Sequence, residues 1–162
     1  AKISAKIELA AALKEYPEGN YSLSNLTALN KAKTDGDVAI DKATSTDGVT
    51  SAKEAAIAAM SAVKTLEQEA ADALAAAKAE AKAELAAALK EYPEGNYSVS
   101  NLTALNKAKT DGDSAIDKAT DTDGVSSAKE AAIAAMDAVK TLAEEAADTL
   151  DLVKLFIKII VS

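Results

Sequence analysis

The chain contains no cysteine, histidine, tryptophan or arginine, and only six glycines, two prolines and five aromatic residues in 162 positions. Without histidine or cysteine there is no Ser-His-Asp or Cys-His nucleophile, no ordinary zinc site and no haem ligand. Carboxylates, hydroxyls and lysines are what remain for chemistry. With 18 lysines against 26 acids, the net charge of -8 repels nucleic-acid phosphates and anionic headgroups, which argues against a nucleic-acid partner. No apolar run reaches the roughly 18 residues that read as a membrane span, and no segment has the pattern of a signal peptide. A signal for export would therefore lie outside this stretch. Lack of cysteine fits either the cytosol or a surface where stability is built without disulfides.

What is abundant is alanine, which fills close to one position in four. Alanine loses no side-chain entropy in a helix, so this composition points to long helices. Sliding the sequence along itself lays Glu8–Leu66 over Glu84–Leu142 with five differences: Leu23/Val99, Val38/Ser114, Ser45/Asp121, Thr50/Ser126 and Ser61/Asp137. All five read as surface tolerance. The chain divides into repeat 1 over 1–74, repeat 2 over 75–149 and an apolar helical extension over 150–162.

Each copy reads as three helices. The first spans Ala1 to Tyr16, ending ahead of Pro17, and its copy ends at Tyr92 ahead of Pro93. The second opens at Ser22 as cap, with Tyr21 and Leu26 placed as a hydrophobic staple. Its apolar row is Leu26, Leu29, Ala32, Gly36, Ala39, Ile40 and Ala43. Gly36 costs about 1 kcal/mol relative to alanine in a helix, so it marks a close helix approach or a local kink. After a Thr44–Gly48 connection, the third helix turns Val49, Ala52, Ala56, Ala59, Val63 and Leu66 inward, with Ile57 and Met60 widening the stripe. Its cap is placed at Thr46, Asp47 or Ser51. From Val49 to Tyr92 there is neither glycine nor proline. That absence predicts one continuous helix joining the copies, on the order of 65 Å long. The expected fold is all-α: two tandem three-helix bundles joined by a long continuous helix into a rod.

The stretch Tyr21-Ser22-x-x-Asn25-Leu26, then Leu29, Ala39-Ile40-Asp41-x-Ala43-Thr44, Val49 and an alanine-rich helix ending Ala62-Val63-Lys64-Thr65-Leu66 resembles a FIVAR-type repeat. Such repeats are three-helix units of Gram-positive surface proteins and secreted carbohydrate-active enzymes. Family members often carry tryptophan where this chain has Leu26 and Leu102. The resemblance implies an extracellular stalk or adhesion region on a bacterial surface, with no catalysis and no residue set to transfer.

Several clusters invite a sharper reading. Residues 119–124 with Glu130 partly match a calcium loop through Asp121, Asp123 and Gly124, but the first ligand position is Ala119, and acids at a helix start favour the helix dipole without any metal. Asp35, Asp37 and Asp41, with Asp111, Asp113 and Asp117, fit a solvated helix face better than an acid/base pair. Sequons begin at Asn20, Asn25, Asn96 and Asn101, where Asn and Ser also serve helix starts. Tyr16 and Tyr92 are the aromatics placed to touch a ligand, or to pack over the turn. No catalytic, cofactor-binding or metal-binding set is assigned, and no cofactor.

The ends depart from the repeat. Ile3 and Ile7 stand where the second copy has Ala79 and Ala83, and Leu152, Val153, Leu155, Phe156, Ile157, Ile159, Ile160 and Val161 replace a stretch of Ala, Lys and Glu. On a helix Asp151, Lys154, Lys158 and Ser162 form one narrow polar stripe, and the rest is apolar. These ten apolar residues are the candidate self-association surface. The expected function is a non-catalytic rigid spacer of an adhesin-like surface protein. Two other readings stay open: a ligand-binding adhesin module for a host protein or glycan, and an engineered self-assembling helical repeat.

Overall fold

The computed structural model describes residues 1–161; Ser162 and the side chain of Val161 lie outside the described residues. Among the described residues there are seven α-helices and no strand: α1 Lys2–Lys14, α2 Leu23–Lys42, α3 Thr46–Ser61, α4 Leu66–Leu89, α5 Val99–Lys118, α6 Thr122–Asp137 and α7 Leu142–Val161. The chain divides into two compact units, Ala1–Asp72 and Ala73–Ser162.

In unit 1 the core is Ala5 and Leu9 from α1, Leu29 and Ile40 from α2, and Val49, Ala56 and Met60 from α3. These positions follow helical spacing, so each helix turns a narrow apolar stripe inward. Ser22 caps α2, its Oγ accepting from the Asn25 amide, and Tyr21 and Leu26 are half-buried against the same core. Tyr16 packs there too, its ring centroid 6.1 Å from that of Tyr21. Unit 2 repeats this core with Ala81, Leu85, Leu105, Ile116, Val125, Ala132 and Met136.

Gly36 is a point of close helix approach. A Cβ there would lie 2.4 Å from the Ala56 Cβ and 2.7 Å from the Leu9 Cδ2, and Gly112 shows the same distances to Ala132 and Leu85. Glycine is retained because the methyl of the facing alanine already occupies the space.

The expected unbroken helix from Val49 to Tyr92 is not formed. α3 stops at Ser61 and α4 begins at Leu66. No glycine or proline makes this break; polar capping does. Thr65 and Gln68 form a reciprocal box, the Gln68 amide donating to Thr65 Oγ1 at 3.2 Å and the Thr65 amide to Gln68 Oε1 at 2.9 Å. From α2, Asn25 Nδ2 donates to the Lys64 carbonyl at 2.7 Å and to Glu69 Oε1 at 2.9 Å, fixing the turn. Thr141, Glu144, Asn101, Lys140 and Glu145 rebuild the arrangement ahead of α7. At the other end α4 stops at Leu89, ahead of Tyr92.

Smaller departures have equally local causes. The third helix starts at Thr46 with Ser45 as cap, so Gly48 belongs to its first turn and not to the connection. Its inward row passes through Met60, fully buried, while Ala59 is exposed and Leu66 is 46% exposed at the start of α4. Ala39 on α2 also faces solvent.

Candidate functional site

The acids of α2 do not converge on one another. Asp35 pairs with Lys31 at 2.5 Å and Asp37 with Lys33 at 2.5 Å, each one helical turn apart, and Asp41 accepts from Lys6 of α1 at 2.5 Å. The backbone carbonyl of Asp41 also receives Lys2 Nζ at 2.8 Å. These contacts recur in unit 2, where Lys78 and Lys82 hold Asp117. The acids therefore neutralise lysines and tie the start of the first helix to the end of the second. Exposed pairs of this kind contribute little stability individually. Asp37 differs in one respect: its Oδ1 is buried without a hydrogen-bond partner, as is that of Asp113. Across the bundle Lys53 reaches Glu8 at 2.5 Å, and this bond holds the Glu8 carboxyl below its ordinary range, with a smaller contribution from Ser4.

The segment resembling a calcium loop is a helix start. Asp121 is the N-cap of α6, its Oδ1 accepting from the Gly124 amide at 2.7 Å, and Asp123 lies in the first helical turn. Among the described residues no group of three or more acids is placed to hold a metal ion. Asp121 replaces Ser45 as the cap and accepts the equivalent bond, so this surface difference between the copies keeps the capping. A carboxylate there also meets the positive end of the helix.

Ser61/Asp137 is likewise specific. Tyr16 shares a 2.9 Å hydrogen bond with Ser61, whereas the Tyr92 hydroxyl donates to Asp137 Oδ1 at 2.6 Å. Burial first, and the Asp137 carboxylate second, push the Tyr92 hydroxyl up to about 12. Both tyrosines are half-buried. A groove beside each lies between the first and second helices of its unit; Tyr16, Pro17 and Leu26 line one and Tyr92, Pro93 and Leu102 the other.

Asn25 and Asn101 head two of the four sequons, yet their side-chain amides are engaged in clamping the interhelical turn. The sequence carries the signal for this turn as Thr65-x-x-Gln68 and Thr141-x-x-Glu144, a capping-box spacing.

Among the described residues the longest run of exposed large apolar side chains is on α7. Every described side chain from Leu150 to Ile160 is exposed, and Leu152, Val153, Leu155, Phe156 and Ile159 line a groove with no polar group in its wall. Val161, counted with them from the sequence, has its side chain outside the described residues. On α1, Ile3 and Ile7 are 78% and 65% exposed. No helix among the described residues is long and apolar enough to cross a membrane. No family model, curated protein or solved structure matches the chain.

Proposed function

We propose that the chain is a non-catalytic tandem helical repeat acting as a rigid spacer, a FIVAR-like stalk segment of an adhesin-like protein on a bacterial cell surface. The observation that carries this reading is the reuse of one set of contacts in both copies. Lys6–Asp41, Lys53–Glu8 and Asn25–Glu69 return as Lys82–Asp117, Lys129–Glu84 and Asn101–Glu145. Within α4, Glu69 is clamped by Asn25, and further along the same helix Ala81 and Leu85 are core residues of unit 2. The rod-like tandem arrangement is part of this proposal.

Adding one further copy of the repeat is expected to lengthen the particle by a constant increment. Small-angle scattering extrapolated to zero concentration checks this, and a maximum dimension that fails to grow contradicts the spacer. A ligand-binding adhesin module is the second reading, favoured by the duplicated groove beside Tyr16 and Tyr92.

A further inference from the structure

Between Leu150 and Ile160 eight large apolar side chains are each 48–67% exposed. Together they offer on the order of 800 Å² per chain, about one partner's share of a standard protein interface, divided between two faces of the helix so that the four of the first face supply about half. Their placement has a symmetry that names the occupant. Leu152, Leu155, Phe156 and Ile159 follow i, i+3, i+4, i+7 spacing and share one face of α7. A twofold axis through the midpoint between Leu155 and Phe156 exchanges those two and exchanges Leu152 with Ile159, so the face is complementary to itself in reverse.

Charge decides the direction. Asp151 and Lys158 stand one heptad apart and border the same edge of this face. In an antiparallel pair that edge runs along its own counterpart, so Asp151 meets Lys158 of the partner subunit and Lys158 meets Asp151 of the partner subunit. A parallel pair sets the same edge against the opposite one, which carries Phe156, and forms neither ion pair. In the single chain Asp151 has a 3.2 Å contact with Lys154, both largely exposed, which is weak enough to exchange.

We propose that α7 pairs antiparallel with α7 of a second copy of this chain through Leu152, Leu155, Phe156 and Ile159, with reciprocal Asp151–Lys158 ion pairs. The remaining apolar strip of Val153, Ile157 and Ile160 then faces away from the pair, and two pairs close on it as a tetramer. This inference does not depend on the spacer reading.

The chain has no cysteine, so single cysteines report the pairing cleanly. Equal amounts of Asp151→Cys and Lys158→Cys chains, oxidised together, are expected to form the mixed disulfide several-fold more than either chain cross-links to itself. Sedimentation of the unaltered chain at micromolar concentration should show a dimer or tetramer. Phe156→Asp should return it to a monomer with helical circular dichroism retained. Three results would overturn the proposal: a monomer throughout, Asp151→Cys cross-linking to itself as well as in the mixture, or a monomer that floats with phosphatidylcholine vesicles.

Discussion

Replacing Gly36 with alanine should destabilise unit 1, against the direction that helix propensity alone predicts. In an exposed helix the change would stabilise by about 1 kcal/mol. Here the new methyl would lie 2.4 Å from the Ala56 Cβ, and that methyl is fixed to the α3 backbone with no rotamer to escape into. Leu9, whose Cδ2 is 2.7 Å away, is fully buried, so any shift of its side chain disturbs the core around it. The helices must therefore separate, and overpacking of this kind costs roughly 1–3 kcal/mol, occasionally more. The site is at the severe end, so a net loss of roughly 2 kcal/mol or more is expected by urea denaturation, after the propensity gain is subtracted. Ala56→Gly in the same chain should recover much of it, since it removes the other methyl. A Gly36→Ala chain more stable than its parent would show that α2 and α3 are not in close contact there.

Leu9→Ala is the second large effect. The buried residues of α1 are Ala5 and Leu9, so Leu9 is its one large side chain wholly inside the core. The helix's other ties to the bundle include the partly buried Ala12 and Leu13, the bond from Lys2 to the Asp41 carbonyl, and the exposed or partly exposed pairs Lys6–Asp41 and Lys53–Glu8. Truncation removes a fully buried isobutyl group and leaves a void above Gly36, for which leucine-to-alanine changes typically cost about 2–5 kcal/mol. Equilibrium denaturation should show that loss, and amide exchange in α1 should accelerate more than in α2 or α3. A loss below about 1 kcal/mol would mean that α1 contributes little to the unit.

What is legible in the sequence is whatever depends on nearby residues or on repetition. The register of the two copies, the Ser22 cap and the close approach at Gly36 all follow from local spacing and side-chain size. The break at Ala62–Thr65 is harder to read because the absence of glycine and proline is not sufficient for continuity. A capping box terminates a helix without either residue, and the Asn25 side chain that clamps this turn comes from another helix, 39 positions from Lys64. Met60 displaces Ala59 from the inward row for a related reason: in an alanine-rich helix the periodicity of small residues does not fix the phase. Ser61/Asp137 looks interchangeable in sequence because nothing local reveals a tyrosine 45 positions away, whereas Ser45/Asp121 exchanges two residues that both cap through a bond only three positions long. For the candidate sites, the acids of α2 and their one-turn partners Lys31 and Lys33 are recognisable as a helix face, but Lys6 of α1, the partner of Asp41, is set by tertiary packing.

The spacer account is tested most directly by the distance between equivalent points of the two units. Thr27 and Thr103 are exposed and occupy the same position of the repeat in each copy, and the absence of native cysteine allows both to be replaced and spin-labelled. Dilution of the doubly labelled chain into unlabelled protein isolates the distance within one molecule. The account predicts a single narrow distance distribution in double electron–electron resonance; a broad distribution, as two units on a flexible tether would produce, would contradict it.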